Sequence, residues 1–223
     1  MHKREKALEV LLAQKLLPLY YHEDAATGIR ILDALYAAGM RIVEYTNRGE
    51  HALRNFKELR KHADNHLEGL ILGIGTIKTK KAAKKFIEAG ADLIVAPTIN
   101  EEVGEVAGDE GLLWIPGCMT PTEIARAEEA GAMLVKLFPG NLLGPAYINS
   151  IRELFPAVRF MPTGGVEAEE SNLAAWFRSG VAAVGMGSKL IPKDPEEKGY
   201  DQLTRDAGWA LQQVQHAAAL TIK

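Results

Sequence analysis

Four times along the chain an amphipathic stretch closes on a small residue and a glycine, and an apolar run follows after two variable positions. The copies are Ala38-Gly39-Met40-Arg41-Ile42-Val43-Glu44, Ala89-Gly90-Ala91-Asp92-Leu93-Ile94-Val95, Ala130-Gly131-Ala132-Met133-Leu134-Val135-Lys136 and Ser179-Gly180-Val181-Ala182-Ala183-Val184-Gly185. A glycine in that place suits the left-handed residue that ends a helix. The apolar run behind it has the length of a buried parallel strand. Successive glycines lie 51, 41 and 49 residues apart, too far for one strand–helix unit and right for two. The intervening strands are Leu70 to Gly75, Leu112 to Pro116 and Val158 to Pro162, with Leu16 to Tyr21 ahead of the first copy.

Eight strands, each followed by a helical stretch, leave about 28 residues per unit (223/8), compact but feasible for an eightfold barrel. The expected fold is therefore α/β, a (β/α)8 TIM barrel in one domain over residues 1–223. Lys3 to Gln14 is expected as an extra N-terminal helix covering the bottom of the barrel. The competing open, doubly wound sheet needs a Gly-rich first turn. Here the first strand runs into Tyr21-His22-Glu23-Asp24-Ala25, which has none.

In such barrels each inner layer takes its side chains from alternate strands. The four copies are the second, fourth, sixth and eighth strands, and the fifth residue after each glycine is Glu44, Val95, Lys136 and Gly185. If the copies are equivalent, an acid and a lysine face each other inside, flanked by a valine and a glycine that leave space.

Composition narrows the function classes. Apolar residues make up 47% and charged residues 25%, an ordinary globular balance that argues against disorder. The formal charge of −3 leaves no electrostatic footprint for a nucleic-acid partner. The densest basic run, Lys78 to Lys85, reads as the solvated face of a helix. A single cysteine, Cys118, allows neither an intrachain disulfide nor a thiolate zinc cluster. The charged start Met1 to Lys6, with Gln14 and Lys15 breaking the apolar stretch behind it, does not read as a signal peptide. No stretch approaches the ~20 apolar residues of a membrane helix, so no membrane partner and a cytoplasmic location are expected.

Lys136 lies in Met133-Leu134-Val135-Lys136-Leu137-Phe138-Pro139. A lysine inside so apolar a strand is costly unless it is paired or neutral, and a neutral amine can attack a carbonyl. The plain alternative is a structural lysine paired with Glu44. Glu44 itself could move protons through a water for such an amine, or serve only as its counter-ion. Arg48, just past the second strand, could grip a substrate carboxylate at two points, or could be a surface arginine. Thr163-Gly164-Gly165 follows the seventh strand and Gly185-Met186-Gly187-Ser188 the eighth. Barrels often bind phosphate with these two loops and a short helix N-terminus. His62 and His66 have the spacing of a helical metal pair, yet no third ligand is near in sequence, and they read as a wet helix end. Trp114, Trp176 and Trp209 read as packing residues.

The ordered set of motifs resembles the class I aldolases that cleave 2-keto-3-deoxy-6-phosphogluconate (KDPG) and 4-hydroxy-2-oxoglutarate (KHG). The likeness runs from about Leu17 to Leu190. It rests on Gly39 to Arg48, Gly73-Ile74-Gly75-Thr76, Ala96-Pro97, Ile115-Pro116-Gly117, Val135 to Pro139, Met161 to Gly165 and Gly185 to Ser188. The resemblance implies that Lys136 forms the Schiff base and that Glu44 is the general acid–base. It implies Arg48 and Thr76 on the pyruvyl carboxylate, and Pro97 and Phe138 among the substrate contacts. Thr163 would sit near the aldehyde-derived hydroxyl, with Gly164, Gly165, Gly187 and Ser188 near the phosphate. It implies a homotrimer that uses no metal and no cofactor, with a sugar-acid phosphate as its small-molecule partner. Two other readings stand beside it: a phosphosugar isomerase or epimerase on the same barrel, and a non-catalytic sugar-phosphate sensor. The gluconate and galactonate epimers are not separated by these residues.

Overall fold

A computed structural model describes residues 2–221. The chain opens with α1 (Lys3–Gln14) and then alternates strands and helices. These are β1 (Leu16–Tyr20), α2 (Ala25–Ala37), β2 (Ile42–Thr46), α3 (Ala52–His66), β3 (Ile71–Gly75), α4 (Lys80–Glu88) and β4 (Leu93–Val95). Next come α5 (Glu101–Asp109), β5 (Leu113–Ile115), β6 (Gly117–Cys118), α6 (Pro121–Glu129), β7 (Leu134–Leu137) and α7 (Gly140–Ile151). The chain ends with β8 (Arg159–Pro162), α8 (Glu170–Arg178), β9 (Val184–Met186) and α9 (Tyr200–Ala219).

Local chemistry sets these boundaries. Asp24, Thr79, Asn100 and Thr120 cap α2, α4, α5 and α6, each side chain accepting a backbone N–H of the first turn. Thr120 and Glu123 complete a capping box, with Pro121 at the first helical position. The repeat glycines all have positive φ: 97° at Gly39, 92° at Gly90, 81° at Gly131 and 95° at Gly180. They turn the chain out of a helix and into the next strand as the sequence pattern required.

All strand pairs are parallel. Six strands form one sheet in the order β5-β4-β3-β2-β1-β9, and three form another in the order β6-β7-β8. The expected fifth strand is two segments, because Pro116 between β5 and β6 has no N–H to give to a ladder. Its carbonyl still accepts from Lys136 N–H at 2.8 Å. At the other junction Ala182 N–H donates to Phe160 C=O at 2.9 Å, and Thr163 and Gly185 form a parallel bridge.

Two apolar clusters separate the faces of the curled sheets. The larger one joins the outward faces to the helices, and includes Tyr20, Tyr45, Phe56, Phe86 and Trp176. The smaller one is the inner core, where Leu17, Ile42, Ile71, Leu93, Val95, Leu113, Ile115, Leu134, Met161 and Ala183 pack on Ala7, Leu8 and Leu11 of α1. The N-terminal helix therefore covers the strand starts from within. Gln14 pins it there, donating to the carbonyls of Leu16 and Ile42 and accepting from the N–H groups of Arg41 and Ile42.

Three further expectations are corrected. Trp114 and Trp176 are buried, but Trp209 on α9 is 52% exposed. Of the pair read as a wet helix end, His66 ends α3 exposed, but His62 is partly covered, with its Nε2 2.6 Å from Asp33 of α2. No short helix follows β9: residues 188–190 form a turn closed by Leu190 N–H on Gly187 C=O, and the next helix is α9.

Candidate active site

Glu44 and Lys136 are the only charged residues that are buried among the described residues. Strand alternation puts both on the inner face, above the apolar layer that contains Ile42 and Leu134. Val95 lies in the inner core as expected, and a Cβ on Gly185 would collide with Thr163 Oγ1. The four repeat positions thus keep the inward direction that the sequence pattern gave them.

The acid and the lysine are near enough to act on each other electrically. Burial pushes the Glu44 carboxyl above its ordinary value, opposed by the charges of Lys136 and then Arg48. Yet neither carboxylate oxygen has a hydrogen-bond partner among the described residues. A purely structural pair would close that contact, because an unpaired buried charge is expensive. The Glu44 carboxylate lies over Gly75 of β3, in the place a side chain there would take.

Among the other sequence-derived positions, Phe138 and Arg48 reach this pair, and Pro97 lies beside the strand next to Lys136. Gly117 is in register with Lys136, and the backbone of Pro97 fills the space beside it that a side chain would need. The Phe138 ring centre is 5.2 Å from Lys136 Nζ, and the residue is 39% exposed at the rim. Arg48 is exposed just beyond β2, and Thr76 is half-buried just beyond β3. Thr76 holds φ 61°, a left-handed conformation that costs a threonine about 1–3 kcal/mol.

Thr163 is buried with its hydroxyl unpartnered, and its backbone ties β8 to β7 through Leu137. Gly164 and Gly165 follow with φ 91° and 71°. The bridge between Thr163 and Gly185 sets this loop beside the turn at Gly187 and exposed Ser188. Among the described residues the N–H groups of Gly165, Gly187 and Ser188 donate to no protein acceptor.

Two residues next to this pair escaped the sequence reading. Gly75 makes room for the carboxylate, and Thr46 is buried with its hydroxyl unpartnered. Thr46 was findable, being two residues after Glu44 on the same strand. Cys118 offers no thiolate chemistry, since burial pushes its thiol up to about 12. No group of three His, Cys, Asp or Glu side chains is placed to hold a metal ion among the described residues.

An α/β fold of parallel strands with a buried lysine and acid on the inner strand faces suits carbonyl chemistry, and comparison with known proteins narrows it. The KDPG and KHG aldolase family matches residues 8–205. The chain is 37% identical to the 2-dehydro-3-deoxy-6-phosphogalactonate aldolase of Escherichia coli K12 over 128 residues, 57% of this chain and 62% of that protein. It therefore spans less than two thirds of that relative. It is 31% identical to the 2-dehydro-3-deoxy-phosphogluconate aldolase of Treponema pallidum (strain Nichols) over 208 residues, 92% of this chain and 96% of that one. A crystal structure of the 2-keto-3-deoxy-6-phosphogluconate aldolase of Zymomonas mobilis ZM4 with 3-phosphoglycerate superposes with TM-score 0.78 at 27% identity, covering 91% of this chain and 93% of that one. The chain belongs to the KDPG and KHG aldolase family, and so to the carbon–carbon lyases.

Proposed function

We propose that the protein is a class I aldolase that cleaves a 2-keto-3-deoxy-6-phospho sugar acid to pyruvate and glyceraldehyde 3-phosphate. It would also cleave 4-hydroxy-2-oxoglutarate to pyruvate and glyoxylate. The observation that carries this reading is that the two buried charged groups among the described residues share the inner face without closing on each other. An isomerase or epimerase would need paired carboxylates or a metal, and a sensor would need neither group.

Lys136 Nζ adds to the C2 ketone and water leaves, giving a protonated imine. Glu44 takes the C4 hydroxyl proton through a water, and the C3–C4 bond breaks. Its electron pair flows into the imine, leaving an enamine, and the aldehyde departs. Glu44 returns the proton to C3 by the same route. Water then hydrolyses the imine and frees pyruvate and the lysine.

Arg48 and Thr76, beyond the ends of β2 and β3, take the carboxylate of the pyruvyl half. Pro97 and Phe138 wall the lysine. Thr163 meets the C4 oxygen, and the turns at Gly164-Gly165 and Gly187-Ser188 take the phosphate through backbone N–H groups. The Z. mobilis aldolase crystallised with 3-phosphoglycerate, a phosphorylated three-carbon acid, is consistent with such an anion site.

The two sheets read as one closed (β/α)8 barrel in a single domain, joined through Pro116 and through the Thr163–Gly185 bridge. The homotrimer and cytoplasmic location of the family reading are kept. Exposed Met119 and Phe138, which follow the paired residues Cys118 and Leu137, offer with Leu142 an apolar rim for subunit contact. No described helix is long and apolar enough to cross a membrane.

Pyruvate with borohydride tests the reading. Reduction of the imine should leave a stable adduct on Lys136, located by mass spectrometry of the digest. An adduct on another lysine, or none, overturns it.

A further inference from the structure

Thr46 is 1% exposed, and its hydroxyl has no partner among the described residues. It stands two residues after Glu44 on β2, so both project from the same face. Tyr45 between them points the other way, with its ring against Tyr20 and Phe56 and its hydroxyl donating to His22 C=O at 2.8 Å. Ile42, two residues before Glu44, belongs to the inner core. The file Ile42, Glu44, Thr46 therefore climbs the inner face from the packed floor towards the strand ends.

The two polar members of that file are both set against one residue of β3. Thr46 is in register with Gly75, and the Glu44 carboxylate lies where a Gly75 side chain would be. Two oxygens of Glu44, one of them over Gly75, and the Thr46 hydroxyl, on the residue in register with Gly75, thus share one face without hydrogen bonds among the described residues. A valine has the shape of threonine and carries no polar penalty. For folding alone, the hydroxyl is a cost.

We propose that Thr46 is a positioning residue for proton transfer: with Glu44 it holds, over Gly75, the water that carries a proton between the carboxylate and the substrate. This rests on the reading of Lys136 and Glu44 given above. In the cleavage direction the C4 hydroxyl proton passes to that water while a water proton passes to Glu44. When the enamine is quenched both transfers reverse, with the proton delivered to C3, so Glu44 and the water are restored. A water held at two points keeps its third hydrogen-bonding direction aimed at the reacting atoms.

The charged groups that face Glu44 are Lys136 from β7 and Arg48 beyond β2. The adjacent strands present Leu19, Gly73 and Gly75 at this level, none of which titrates. A water fixed by Thr46 donates to the carboxylate and favours its charged form. Loss of the hydroxyl should therefore move the acid limb of the kcat–pH profile to higher pH.

The test compares Thr46→Val and Thr46→Ser with the parent enzyme. Thr46→Val should lower kcat by roughly 10- to 100-fold, less than loss of a general acid–base itself, with KM little changed. It should slow deuterium exchange into the methyl group of pyruvate to a similar extent. Borohydride trapping of pyruvate on Lys136 should stay at the parent level, and Tm should hold or rise. Thr46→Ser should recover most of the turnover. Turnover of Thr46→Val within twofold of the parent overturns the proposal. So does a Tm that falls together with activity, or a serine variant as slow as the valine one. If the parent enzyme itself does not trap pyruvate on Lys136, the underlying aldolase reading has failed, and that result is distinct from all of these.

Discussion

Gly75 carries no side chain where the Glu44 carboxylate lies, so one residue's lack of substance sets the other's position. The two belong to adjacent strands, and the fit depends on register: Glu44 pairs with Gly73, and its side chain leans further along, to Gly75. Gly75→Ala should push the carboxylate aside while leaving the strand intact. A fall in kcat of ~10²-fold is expected, with trapping on Lys136 retained. Steady-state kinetics beside borohydride trapping checks this. Near-parent kcat would mean that the carboxylate works equally well from another place.

Glu44→Gln separates chemistry from stability. Removing the base should lower kcat by ~10²–10⁴. The same change should stabilise the fold near neutral pH. Burial raises the Glu44 carboxyl above its unfolded value, so between the two values the native state holds a proton that the unfolded chain has lost. Parent stability then falls as pH rises through that window and stays lower above it. Urea denaturation at several pH values should show the variant gaining on the parent with rising pH. The two should converge below the ordinary carboxylate range. A gap that does not change with pH would mean that Glu44 is not buried as an acid.

Gln14 is a structural counterpart at the opposite end of the strands. It satisfies four backbone groups under the inner core. Gln14→Leu would keep the bulk and strand those groups. A loss of ~2–4 kcal/mol is expected, since each buried group left unpaired costs about 1–3 kcal/mol and some will find other partners. The urea midpoint reports it, and kcat at 25 °C should be unchanged. Unchanged stability would show that α1 seats on apolar contacts alone.

Ser188 tests the anion loops. Its hydroxyl is on an exposed turn, so Ser188→Ala should cost about tenfold in kcat/KM for a phosphorylated substrate, or ~1.4 kcal/mol. That is the low end for a hydrogen bond to a charged acceptor. Turnover of 4-hydroxy-2-oxoglutarate, which has no phosphate, should be unaffected. Equal losses on both substrates would make Ser188 a folding residue.

Much of this was legible because it is periodic or local. Gly39, Gly90, Gly131 and Gly180 announced the helix ends, and counting five residues on from each gave the inward file that holds Glu44 and Lys136. Helix α1 was readable to the residue from its flanking polar positions. What escaped depends on partners distant in sequence. The contact between His62 and Asp33 spans two helices. The break at Pro116 shows only once ladders are formed, and the exposure of Trp209 depends on which face of α9 the rest of the fold covers. The place of Thr46 beside Glu44 was findable from strand spacing, but threonine is an ordinary strand residue, and its unpartnered hydroxyl shows only in the fold.

Helix α1 has a kinetic consequence. It occupies one end of the inner face, so on the closed-barrel reading proposed above a molecule bound at Lys136 would stand in a blind alley with a single door. The pyruvyl half would stay tied to Lys136, while the severed aldehyde would be free to leave by that door. The aldehyde would then leave first, and in the synthetic direction pyruvate would enter first. An N-terminal helix at the far end of the strands would thus set the order in which both reactants come and go.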